Sequence, residues 1–204
     1  LRFMLPYLSN HKIIERGKFL LRYYGWYFPK PYKKGQSVKI EIQDSYALIP
    51  EPLRKFKDMF KIEVKKEILP YNLYTAENVN VRNGLIPMEE CIKYVEQQFH
   101  NNNIGKKICP IEMKKFVNEF KQNVKKWNCN LDIIEKGKVV DMIQYALEYC
   151  RMDVNVLQEG YNKFKGYINE ICGLNIDNYI SLASVANDFM MKEGVYDDMY
   201  MISG

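Results

Sequence analysis

No stretch of the 204-residue chain approaches the roughly 18 consecutive apolar residues that a membrane-spanning helix requires. A membrane partner is therefore not expected. A secretory leader, with its basic start, apolar middle and small-residue cleavage site, is missing too. The chain opens on Leu1, and its first residues, LRFMLPYL, read as buried structure, so it is expected to be an intracellular piece of something longer. Histidine is scarce: His11 and His100 are the only two. The five cysteines (Cys91, Cys109, Cys129, Cys150, Cys172) fall roughly twenty residues apart without a C-x-x-C pair. That excludes a convincing zinc ligand set and points to small buried thiols in a reducing compartment.

What is present is a core-forming composition, 47% hydrophobic, enough for one sizeable domain or two small ones. The net charge of +5 is unevenly spread. Lys30, Lys33, Lys34 and Lys39 fall together with no acid between them, and Arg54, Lys55, Lys57, Lys61, Lys65 and Lys66 are opposed only by Asp58 and Glu63. Tyr23, Tyr24, Trp26, Tyr27, Phe28 and Tyr32 interleave with the first group. Such a mixture can stack on bases while lysines meet phosphates; it is equally what solvated loops beside a buried aromatic strand look like.

Residues 18–28, KFLLRYYGWYF, read as a strand. SVKIEIQ (37–43) alternates Val38, Ile40 and Ile42 against Lys39, Glu41 and Gln43, a half-buried strand pattern. Prolines and a glycine between the two predict a hairpin with a basic tip. Leu53, Phe56 and Phe60 then suit a short amphipathic turn. Three helices are predicted at about 87–99, 110–127 and 137–171, the second opened by Pro110 in its first turn. In the third, Val140, Ile143, Leu147, Cys150, Val154, Leu157, Tyr161 and Phe164 recur three and four apart and predict the core-facing stripe. A break at Gly173 precedes a last helix near 181–192. Read from the residues alone, the fold class is α+β.

Tyr149 and Asp153 sit one residue out of phase with that stripe and four residues apart, so they are expected on one side, beside the core rather than in it. The stretch around them, YCRMDVNVLQEGYNKF, carries the pattern Y-x-x-x-D. DSYALIPEPLRKF (44–56) carries D-S-x-x-x-h-P-x-P, where h is apolar. FKIEVKKEILPYNLYT (60–75) places a lysine before a proline–aromatic pair, and GLNIDNYISLASVANDFMMKEGVYDDMYMISG closes the chain at 173–204. Along the chain, in the order 44–56, 60–75, 149–164 and 173–204, the four blocks resemble the 3′–5′ exonuclease part of protein-primed family B DNA polymerases, of the kind found in viruses, linear plasmids and mobile elements. The resemblance spans about 160 residues; no single block is specific, and the ordered set is.

The resemblance implies an RNase H-like exonuclease domain lacking its first strands: residues 1–172 its carboxy-terminal portion, with a helix-rich insert at about 76–135, and 173–204 the connection toward a polymerase palm. It implies two divalent ions, Mg2+ or Mn2+, with Asp153 among their ligands, Tyr149 positioning the attacking water and Lys66 stabilising charge on the scissile phosphate. Ser45 and Tyr46 would touch the frayed 3′ strand, Tyr46 standing where many members have leucine; Lys33 and Lys34, from the charge of the basic hairpin and not from a motif, are expected to meet DNA phosphates. Single-stranded and primer–template DNA, and a terminal protein as primer, are the implied partners.

The departures are as informative. No D-x-E occurs in these residues, and no N-x-x-[FY]-D precedes LRFMLPYL. One carboxylate cannot hold two metals, so the chain alone is expected not to hydrolyse DNA. Tyr196-Asp197-Asp198 superficially matches a polymerase Y-D-D site, but it falls in the connecting block and is expected to form a turn with solvated acids. Two other readings stay open: a non-catalytic DNA-binding module that kept the strand groove, and a helical interaction domain with no nucleic-acid role.

Overall fold

The aromatic stretch and the alternating stretch pair as expected. β2 (Phe19–Tyr27) runs antiparallel to β3 (Val38–Gln43), with Tyr27 opposite Val38 and Arg22 opposite Gln43. A strand that the sequence does not announce, β1 (Ser9–Arg16), pairs on the other side of β2 to complete the order β1-β2-β3. The computed structural model describes residues 9–16, 19–27, 37–105, 109–133 and 137–198. The basic hairpin tip, with Lys33 and Lys34, lies outside the described residues.

The chain divides into two compact units, Leu1–Lys55 with Gly160–Gly204, and Phe56–Glu159. In the first, Arg22 ties the sheet to the segment after the long helix. Its Nη2 donates to Gln43 Oε1 at 2.6 Å and to the carbonyls of Asp177 and Tyr179 at 3.0 and 2.9 Å, while its Nε meets Glu41 Oε1 at 3.2 Å. These contacts compensate a buried guanidinium that would otherwise be costly.

In the second unit, α1 (Phe56–Phe60) buries Phe56 and Phe60 edge to face, as its spacing suggests. α2 (Met88–Asn102) turns Cys91, Val95 and Phe99 inward, and α3 (Pro110–Lys126) turns Val117, Phe120 and Val124 inward. Both helices lie where the sequence predicts them, within three residues at either end. A second small sheet, absent from the sequence reading, joins β4 (Leu85–Pro87), β5 (Asn130–Ile133) and β6 (Gly137–Asp141) in the order β4-β6-β5. The whole is α+β, two small antiparallel sheets with helices.

α4 (Met142–Cys172) begins five residues later than expected, because 137–141 are strand. Its phase also differs. Val140 is buried in β6, but Ile143, Leu147 and Val154 are 42, 53 and 62% exposed, and Cys150 is exposed as well. Met142, Tyr145, Tyr149 and Val156 face inward instead. The helix carries two apolar stripes, and the one with two tyrosines wins: each ring buries more area than the aliphatic chains opposite, and its hydroxyl finds a partner. Gly173 ends the helix at φ +63, its N–H donating to Asn169, a left-handed cap that suits glycine. α5 (Leu182–Lys192) follows, its first turn closed by reciprocal Ser181–Ser184 hydrogen bonds.

Candidate functional site

The site grows from residues 64–70, a segment outside helix and strand along which the contacts of successive side chains alternate. In an extended chain, neighbouring side chains point to opposite sides. Lys65 and Glu67 reach α3: Lys65 pairs with Glu119, and the buried Glu67 accepts from Asn123 Nδ2 at 3.1 Å. The next carbonyl, of Ile68, accepts from the buried Tyr145 hydroxyl at 2.7 Å. Lys66, between these anchors, projects the other way onto α4. Its ammonium donates to Tyr149 Oη at 2.5 Å and to Asp153 Oδ2 at 2.7 Å, and lies 4.9 Å from the Tyr149 ring centre. Tyr145, Tyr149 and Asp153 follow one another at four-residue spacing, so a single line along α4 supplies both the anchor and the site.

Lys66, Tyr149 and Asp153 thus meet although 83 and 87 residues separate the lysine from its two partners. Tyr149 differs from its expectation in one respect: it belongs to the core, only 5% exposed, with its hydroxyl at the core's edge. Burial pushes its phenol well above the ordinary range, and the neighbouring Tyr71 hydroxyl and Asp153 carboxylate add to the shift. The group is therefore a neutral hydroxyl whose oxygen accepts from Lys66. Tyr71, whose hydroxyl lies 3.4 Å from that of Tyr149, joins the group unanticipated by role. Its signal was the proline–aromatic pair Pro70-Tyr71 after the lysine. Tyr145 and Glu67, which hold the segment in place, had no sequence signal beyond position.

Asp153 is unevenly satisfied. Oδ2 takes the lysine, whereas Oδ1 is shielded from solvent and receives no hydrogen bond among the described residues. A shielded polar atom without a partner costs about 1–3 kcal/mol, so this oxygen is a standing acceptor for a cation or a donor. Among the described residues no three His, Cys, Asp or Glu side chains gather to hold a metal. No helix of the described residues is long and apolar enough to cross a membrane.

Ser45 and Tyr46 lie in the other unit. Asp44 accepts from Tyr46 N at 2.9 Å and opens a single tight turn, Ser45–Ala47, whose first carbonyl takes the N–H groups of Leu48 and Ile49. Tyr46 stands on that turn largely in solvent. Residues 193–198 form turns in which Tyr196, Asp197 and Asp198 are exposed, as expected for that tripeptide.

Neither a curated protein nor a solved structure matches the chain. The family model of DNA polymerase type B, organellar and viral, matches residues 2–202, nearly the full length. The chain belongs to the organellar and viral type B DNA polymerases.

Proposed function

We propose that the chain contributes part of the proofreading 3′–5′ exonuclease of a protein-primed DNA polymerase, with an RNase H-like domain over residues 1–172, a helical insert at about 76–135, and 173–204 leading toward a palm. The observation that carries this reading is the convergence of Lys66 with Tyr149 and Asp153, residues from two motif blocks far apart in the chain. Membership of the family supports it independently.

Phosphodiester hydrolysis needs a nucleophilic water, a place for the charge that builds on the phosphate, and a geometry that holds both. Asp153 fits one ligand of a divalent ion, Mg2+ or Mn2+, because its shielded Oδ1 still lacks a partner. Such an ion, when bound, acidifies water and offsets phosphate charge. Tyr149, kept neutral, hydrogen-bonds and orients a water beside that carboxylate. Lys66 offers a fixed cation to a non-bridging phosphate oxygen. Ser45, Tyr46, Lys33 and Lys34 serve the frayed single strand, and a terminal protein supplies the primer. A single carboxylate does not complete a two-metal site, so the chain alone is inactive in this reading.

The coding sequence on either side tests it. D-x-E and N-x-x-[FY]-D motifs before Leu1 and palm motifs after Gly204 are expected; stop codons close on both sides would overturn the proposal. One observation favours a second reading, a non-catalytic DNA-binding module: Asp153 already has its charge met by Lys66. Single-strand binding that is identical for Asp153→Ala and wild type, with no manganese-dependent cleavage once the upstream segment is restored, would decide for the module.

A further inference from the structure

The aromatics of the first sheet are not equivalent, and their division by face suggests a use. Directly opposite residues of antiparallel strands share a face. Tyr24 faces Glu41 and Lys12, and Trp26 faces Lys39, so Tyr24, Trp26, Lys12 and Lys39 stand on one side of β1-β2-β3. Tyr23 points to the other side and is fully buried. Gly25, between Tyr24 and Trp26, also belongs to that other side, where an added Cβ would come 2.7 Å from the Tyr23 hydroxyl.

On the first face, Trp26 is 37% exposed and Lys12 and Lys39 are exposed. The Lys39 ammonium lies 4.7 Å from the centre of the Tyr24 ring, and the Arg22 guanidinium 5.9 Å from it, which holds that ring in one orientation. Among the described residues, Lys12, Arg22 and Lys39 share this face with Glu41, which pairs with Lys39 at 3.5 Å and with Arg22 at 3.2 Å. Glu15 stands at the far end, opposite Leu20, so Lys12 is the cation with no acid opposite it in the register. Arg22 is committed to backbone carbonyls, so it contributes field rather than contact.

We propose that this face is a stacking platform for single-stranded DNA, with an unpaired base on the Trp26 indole, Tyr24 as the braced neighbour, and Lys12 and Lys39 meeting the flanking phosphates. A flat ring beside cations, on a paired sheet, is what sequence-tolerant single-strand binding requires. A purely apolar partner would not repay the dehydration of two lysines. The assignment rests on the DNA-handling function proposed above and names a surface for it distinct from the Ser45 turn.

Fluorescence provides the test, because the chain has two tryptophans and Trp127 is buried in the core of the other unit. Titration with an oligothymidylate at low salt should quench Trp26, with affinity followed in parallel by anisotropy of a labelled strand. Trp26→Phe, which keeps a ring, should abolish the quenching and change affinity by less than about threefold. Trp26→Ala should weaken binding by about tenfold to a hundredfold, the range for loss of one stacked base. Lys12→Gln should reduce the salt slope by about 0.7. Wild-type binding that neither Trp26→Ala nor Lys12→Gln alters would overturn the platform and leave the exonuclease reading intact. Equal quenching by duplex DNA would also overturn it, since paired bases offer no face. No binding of any single strand by the wild type would overturn the platform and count against the exonuclease reading as well.

Discussion

Lys66 neutralises Asp153 through one oxygen, and that asymmetry sets what substitutions there should do. Removing the ammonium leaves a half-buried carboxylate with neither oxygen partnered, so Lys66→Met should lower unfolding stability by about 1–3 kcal/mol in urea titrations. Adding Asp153→Leu to that variant should restore most of the loss, because the cost is the uncompensated charge and not the missing contact. Additive losses in the double variant would show that the pair is not coupled. Tyr149→Phe should cost less, about 0.5–1.5 kcal/mol, since the ring keeps its place in the core and one hydroxyl contact is lost. At this scale the sequence was most legible. The motif blocks named Lys66, Tyr149 and Asp153, and the fold brings them within hydrogen-bonding distance. Tyr145 and Glu67 were silent because an anchor is defined by what it touches, and Glu67 touches Asn123 across 56 positions of chain.

At the scale of elements, the long helix is the instructive case. Asp141 accepts from the N–H groups of Ile143 and Gln144, capping the first turn of α4. The pair Asp141–Gln144 is a start signal readable in the sequence, yet the apolar run through Val139 and Val140 masked it. Those two valines belong to β6, which pairs with β4 from more than fifty residues away; strand pairing over that distance leaves no local trace. The two stripes of α4 could not be ranked from spacing alone, since both recur at three and four. Their ranking has a measurable consequence. Leu147→Ala should change stability by less than about 1 kcal/mol, whereas Phe120→Ala, beneath Tyr145, should cost about 3–5 kcal/mol. The reverse order in thermal unfolding would return the inward face to the aliphatic stripe. Gly84 is a second check. It adopts φ +73, and an added Cβ would sit 2.5 Å from Ile143 Cγ1, so Gly84→Ala should destabilise the junction of β4 and α4 by about 1–3 kcal/mol.

For the whole molecule, charge and burial together fix the response to pH. Burial pushes the Cys91 thiol up to about 12 and the Cys129 thiol up to about 11. The phenols of Tyr74, Tyr145 and Tyr149 are raised by the same cause. A folded-state value above the unfolded one gives stability that is complete below the unfolded value and declines as pH rises toward the folded value. Unfolding stability should therefore fall from about pH 9 to about 12, followed by circular dichroism across an alkaline series. The thiols should divide accordingly: Cys150, exposed on α4, reacts with a thiol reagent in the native state, and Cys91 and Cys129 react only on unfolding.

The functional claim reduces to whether Asp153 serves chemistry or only an ion pair. Release of 3′ nucleotides from a labelled single strand, measured with Mn2+ on the protein extended upstream through its carboxylate motifs, separates the two. Asp153→Ala should lower the cleavage rate by about a hundredfold or more while single-strand affinity stays within about threefold of wild type. Undiminished cleavage by Asp153→Ala would contradict the assignment of a catalytic role to this carboxylate.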